Sequence, residues 1–126
     1  MAKEWMNTKE YFITYSILIN AARHHGFATY QELAQAIGYP TVGSYIGGVF
    51  GKILRDISVN EVQQKRPMLS AIAVGISGKP SEGFFTLARE LGLLKEGIDE
   101  GAFWLSECKR VYDEWKIPYR KSLGKE

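Results

Sequence analysis

Apolar residues at Phe12, Tyr15, Ile19 and Ala22 recur at helical spacing behind a capping-box pair, Asn7 and Glu10, and Gly26 offers a stop, so a first helix is predicted there. Thr29-Tyr30-Gln31-Glu32 is a second capping box. Behind it Leu33, Ala34 and Ile37 form one apolar stripe, and Gly38 closes a short second helix. Beyond the Tyr39-Pro40 turn, Val42, Ile46, Val49, Phe50, Ile53 and Ile57 fall on one face, which predicts a third helix from about Thr41 to Asn60. Helix, short helix, turn and longer helix is the helix-turn-helix order.

Pro67 breaks the helical pattern, and the apolar run from Met68 to Ile76 reads as a buried strand. Ser77-Gly78-Lys79-Pro80 has turn chemistry, and Glu82 to Thr86 returns as a second strand, giving a hairpin in the wing position. Helical character resumes near Leu87. Trp104, Cys108, Val111 and Trp115 mark the buried face of a long last helix from about Asp99 to Lys116. The expected class is α+β, mostly helical: a winged helix-turn-helix with a small β-hairpin wing and a long C-terminal helix, in one domain over residues 1–126.

A chain of 126 residues buries somewhat under about 70% of its unfolded surface, enough for a core without staples. Cys108 is the sole cysteine, so no internal disulfide or multi-cysteine metal cluster is available, which suits a reducing cytoplasm. The longest apolar runs, Tyr11 to Ala22 and Ala71 to Ile76, are broken or too short to span a bilayer, and no membrane association is expected. The formal net charge of +2 leaves no broad basic footprint. The tail from about residue 117, with Lys116 just before it, is locally basic: Lys116, Arg120, Lys121 and Lys125 stand against Glu126 alone.

Two faces of the third helix carry candidate function. Gly43, Gly47 and Gly51 lie four apart, and each interior glycine costs about 1 kcal/mol relative to alanine. That face admits close approach of a second helix, from the same domain, a second copy or another protein. On what reads as the opposite side, Ser44, Gly48, Lys52 and Arg55, with Tyr45 beside them, make a polar stripe of the kind a recognition helix presents to phosphates and bases. His24-His25 suits the C-terminus of the first helix as a cap rather than as a metal site. There is no phosphate-binding glycine loop, zinc-helix histidine pair or nucleophile elbow, and Asp113 and Glu114 face different ways on a helix. No catalytic residue, metal ligand or cofactor is therefore assigned. Phe103, Trp104 and Trp115 read as core.

The stretch Gly26 to Pro40 resembles the helix-turn-helix entry of the alkylguanine-DNA alkyltransferases and their catalytically dead alkyltransferase-like relatives. The likeness extends through Ile46-Gly47-Gly48-Val49-Phe50-Gly51, Pro67 and Gly78 to Phe84, about Gly26 to Glu96 in all. It implies a DNA-binding winged helix in which Tyr30 contacts phosphate. It also implies no alkyl transfer, because the acceptor-cysteine motif falls on Pro67-Met68-Leu69-Ser70, and no base flipping by that family's device, because the base-stack arginine falls on Ser44. Pro67 to Phe84 is also similar, more loosely, to a block in small prokaryotic and phage proteins, which implies no activity. The expected function is non-catalytic binding of double-stranded DNA through Tyr30, Ser44, Tyr45, Gly48, Lys52 and Arg55, with Lys79 on the wing. The alternatives are an adaptor domain, dimeric through the glycine face, and an enzyme with a site near Arg66 and Glu82.

Overall fold

The computed structural model describes residues 5–39 and 45–117, with only the helical backbone given for 45–49. The protein is mostly helical, with a two-stranded parallel sheet. In chain order the elements are α1 (Lys9–Arg23), β1 (Ala28–Thr29), α2 (Tyr30–Ala36), α3 (Tyr45–Gln63), a 3-10 helix (Leu69–Ile72), β2 (Ala73–Val74), α4 (Glu82–Glu90) and α5 (Glu100–Trp115).

Local signals set several of these. Thr29 accepts the Glu32 N–H through Oγ1, Glu32 takes the Thr29 N–H in return, and α2 starts there as its capping box predicts. Asp99 caps α5 by accepting the Ala102 N–H at 2.9 Å, and His24 closes α1. The N-cap of α1 is Thr8 rather than Asn7, which sits at a φ of 70°. Its buried face is Tyr11, Thr14, Leu18 and Ala22, while Phe12 is half exposed. Apolar residues surround α1, so periodicity alone did not select the face that packs. Helix α3 runs to Gln63, three residues past the expected end.

The segment after Pro67 departs most from expectation. Only Ala73–Val74 is strand, and its partner is β1, in parallel register Ala28 to Ala73 and Thr29 to Val74. Leu69–Ile72 is a 3-10 helix packed against α1, α3 and α5. A fully buried backbone must find hydrogen-bond partners, and here side chains supply them. Glu107 accepts the Met68 N–H at 2.8 Å, Ser58 accepts the Ser70 N–H at 3.1 Å, and Trp104 Nε1 donates to the Ala71 carbonyl at 2.8 Å. With these groups satisfied, the apolar run is buried without a longer ladder.

The expected second strand, Glu82 to Thr86, is the start of α4. Phe84, Leu87 and Ala88 follow helical spacing into the core, so burial favours a helix where the Gly-Phe-Phe-Thr sequence suited a strand. The β-hairpin wing is thus absent from the described residues: between β2 and α4 stands a tight turn, Gly75 to Lys79. No described helix is long and apolar enough to cross a membrane.

The carboxylate of Glu107 is 2% exposed and also receives Arg110 Nη1 at 2.6 Å. Glu107→Ala strands a buried N–H and should cost about 3 kcal/mol. Arg110→Ala removes a half-exposed cation from that buried carboxylate but leaves the Met68 N–H its acceptor, and should cost less, about 1.5 kcal/mol. Urea unfolding of the two variants measures the contrast, and equal losses would refute this role for the Glu107 carboxylate.

Candidate nucleic-acid interface and pocket

The capping box fixes Tyr30 as the first residue of α2, and its hydroxyl accepts the backbone N–H of Ser81 at 2.8 Å. Gly75 lies behind the ring: a Cβ there would make ordinary contact, 3.7 Å from Tyr30 Cδ2 and Cε2. The Tyr30 ring therefore positions both the exit of β2 and the entry of α4.

Between α2, α3, the 3-10 helix and α4 lies a cavity of about 260 Å³. Leu54, Phe84 and Leu87 give it an apolar floor, Ser70 Oγ lies among them, and Tyr30, Arg55, Ser81 and Thr86 contribute polar groups. The Ser58 hydroxyl donates to Ser70 Oγ at 2.7 Å, so the Ser70 proton remains to be directed elsewhere. Ser81, the N-cap of α4, makes no side-chain cap bond and also lines the cavity. Arg55 Nη1 contacts Glu90 Oε1 at 2.8 Å, with both side chains half exposed. Such a pair holds by about 1 kcal/mol or less and yields readily to a competing anion.

Gly51 and Arg55, one helical turn apart, line the same cavity. The glycine face and the polar stripe are therefore adjoining at this end of α3, not opposite, because a four-residue step returns to nearly the same side of a helix. Among the described residues nothing lies within 4 Å of a Cβ built on Gly51. No described helix packs closely on this glycine, which lines the cavity instead.

No family model, curated protein or solved structure matches this chain.

Of the positions singled out from sequence, Tyr30, Gly51 and Arg55 meet at the cavity, while Lys52 and Lys79 are exposed. Tyr45, Gly47 and Gly48 belong to α3, whose side chains are not described at those positions, and Gly43 and Ser44 lie outside the described residues. Ser70, Ser81, Phe84 and Thr86 were missed as site residues because the sequence placed them on strands or a turn. The Phe84, Leu87, Ala88 and Leu91 spacing was the signal that could have revealed α4. Arg66, proposed with Glu82 as an enzyme site, is engaged elsewhere, by Glu61 at 2.8 Å and by the Trp115 ring at 5.5 Å.

The single thiol offers little chemistry, since burial and then the nearby Glu107 charge push Cys108 up to about 12. Burial likewise drives Tyr15 and Tyr112 up to about 12. Groups with raised folded pKa values stabilise fully below their unfolded pKa and progressively less as pH rises through the folded one. Unfolding free energy should therefore fall between pH 9.0, where an ordinary thiol titrates, and about pH 12, with Cys108→Ala delaying the onset. A pH series of urea melts showing no loss in that window would contradict the assignment. Gly51→Ala should raise stability by about 0.5 to 1 kcal/mol, since it gains helix propensity and meets no neighbour. Destabilisation in the same melts would mean that the glycine serves packing after all.

Proposed function

We propose that the chain is a non-catalytic module that binds double-stranded DNA through α2, α3 and the Gly75 to Lys79 turn, with the adjoining cavity receiving an unstacked base. The observation that carries this reading is the meeting of Tyr30, Gly51 and Arg55 at one cavity, with exposed Lys52 on α3 and exposed Lys79 on the turn. The cations suit phosphates. The cavity has the chemistry of a base site, with apolar surface from Leu54 and Phe84 for the ring faces and hydroxyl and guanidinium groups for the edges.

The resemblance to the alkyltransferase-like proteins supports the same reading, and so does the departure in chemistry. Met68, at the acceptor position, is fully buried with its N–H bound to Glu107, and it brings no nucleophile to the cavity. The competing reading, a protein-interaction domain, draws on a different surface from the glycine face. Phe27 and Leu105, exposed by 48% and 62%, border a shallow depression with Tyr112 and His25.

Fluorescence anisotropy with a labelled duplex across several salt concentrations tests the proposal. Micromolar or tighter binding is expected. Three phosphate-facing cations, Lys52, Arg55 and Lys79, would give a shallow log-log salt slope of about −3. Lys52→Glu with Arg55→Glu should weaken binding by at least roughly tenfold without unfolding the protein, as both side chains are exposed. No binding at low salt, or undiminished binding by the double variant, would sink the proposed face; the first result would shift the reading to the Phe27 and Leu105 surface.

A further inference from the structure

Helix α5 buries Glu107, Cys108 and Val111 and turns a different row outward, Leu105, Lys109 and Asp113. Residues four apart form the ridge by which helices most often pack on one another. Leu105 is more than half exposed, and so is Ile117 just past the helix. Phe27 stands beside Leu105. Its ring is braced against α5 by Trp104 at 6.2 Å and Tyr112 at 6.4 Å, yet about half of the residue faces outward. With Leu105, Lys109 and Asp113 it borders the shallow depression next to His25. This surface shares no residue with the cavity of Tyr30 and Arg55.

The charges on the row say what fits it. Two acids of α5 are already paired within the chain, Glu100 with Arg89 and Glu107 with Arg110. Lys109 and Asp113 are exposed and make no ion pair among the described residues. A cation and an anion one turn apart on a single face are complementary to themselves under a two-fold axis, because an isologous interface sets residue i against j and j against i. With the axis midway between the two, the α5 of a second copy runs antiparallel, and Lys109 meets Asp113 at two equivalent places. Leu105 then lies about 9 Å along the helix from the axis, level with the end of the other α5, where Ile117 emerges. A parallel pairing would set lysine on lysine and aspartate on aspartate, so the row selects the antiparallel one.

We propose that the chain forms a two-fold dimer through antiparallel α5 helices. Leu105, Ile117 and Phe27 exclude water at the contact, and Lys109 and Asp113 fix its direction and register. Such a dimer uses none of the residues assigned to DNA and stands or falls without them.

Sedimentation equilibrium of the full chain over roughly 5 to 500 µM brackets the affinity of a small interface and tests the pairing. A reversible monomer–dimer equilibrium is expected. Leu105→Asp should leave only monomer in that range. Lys109→Asp and Asp113→Lys should each weaken association roughly tenfold, since each places two like-charge contacts across the axis. The double variant, Lys109→Asp with Asp113→Lys, exchanges the signs and should return to within about twofold of the unaltered chain. An equimolar mixture of the two single variants should also associate more tightly than either alone, because both contacts then join an acid to a lysine. All three substituted side chains are exposed, and unchanged circular dichroism should show that each variant folds. A monomer throughout the range overturns the dimer and leaves the surface to a different protein. A dimer indifferent to Leu105→Asp, or charge reversals that do not weaken it singly and recover together, overturns the antiparallel α5 pairing.

Discussion

The structure depends on burying the backbone of residues 67–74 through the middle of a helical domain. Apart from Pro67, which has no N–H, each residue there carries a backbone donor and an acceptor that would cost about 1 to 3 kcal/mol if left without a partner. A wide sheet would satisfy them by repetition, but here the partners come one at a time, from Ser58 on α3, from Trp104, Glu107 and Cys108 on α5, and from β1 for the last two residues. Helices α3 and α5 are consequently joined through this segment. Its exit at Gly75, hard against Tyr30, decides where the turn, the entry of α4 and the cavity stand.

Charge is distributed in the same two-tier way. Glu61, fully buried, receives Arg66 and the hydroxyl of Tyr15, which also accepts from Asn60 at 3.0 Å. The Glu61 carboxylate holds the Arg66 guanidinium well above its ordinary range. An ion pair with a buried carboxylate adds little net stability over an apolar pair, but removing its cation leaves a charge stranded; the Tyr15 hydroxyl, donating to the same carboxylate, ties α1 to α3. At the cavity the opposite regime holds. Arg55 and Glu90 are half exposed and water-screened, so their contact orients the guanidinium without committing it. An arrangement stiff behind the site and loosely paired at its mouth suits a surface that must exchange an internal partner for an external anion.

What could be read from sequence follows the range of the forces involved. The α2 cap, the start of α5 near Asp99 and the apolar stripe from Phe50 to Ile57 depend on neighbours within a turn or two, and they lie where the pattern placed them. The 3-10 helix depends on side chains 12 to 39 residues away in sequence, which no local pattern contains. Glu61 and Glu107 were partly legible: each continues an apolar stripe, after Ile53 and Ile57 in one case and between Trp104 and Val111 in the other. A carboxylate in such a position signals a buried acceptor with a partner to find. At the site, Tyr30, Gly51 and Arg55 were recognised individually, but that they face one cavity depends on how α2 and α4 pack against α3.

Gly51 shows why that packing bears on function. Four glycines over residues 43–51 invite a reading as a close-packing seam, in which the lost helix propensity is offset by backbone contact with another helix. At Gly51 no described residue supplies that offset, because none lies within reach of a methyl group, and an exposed helical glycine costs about 0.5 to 1 kcal/mol relative to alanine. Gly51 lines a cavity whose other walls carry a guanidinium, hydroxyls and aromatic rings. Alanine there would recover helix propensity at the expense of that space, so stability and room at the proposed site pull in opposite directions at this position.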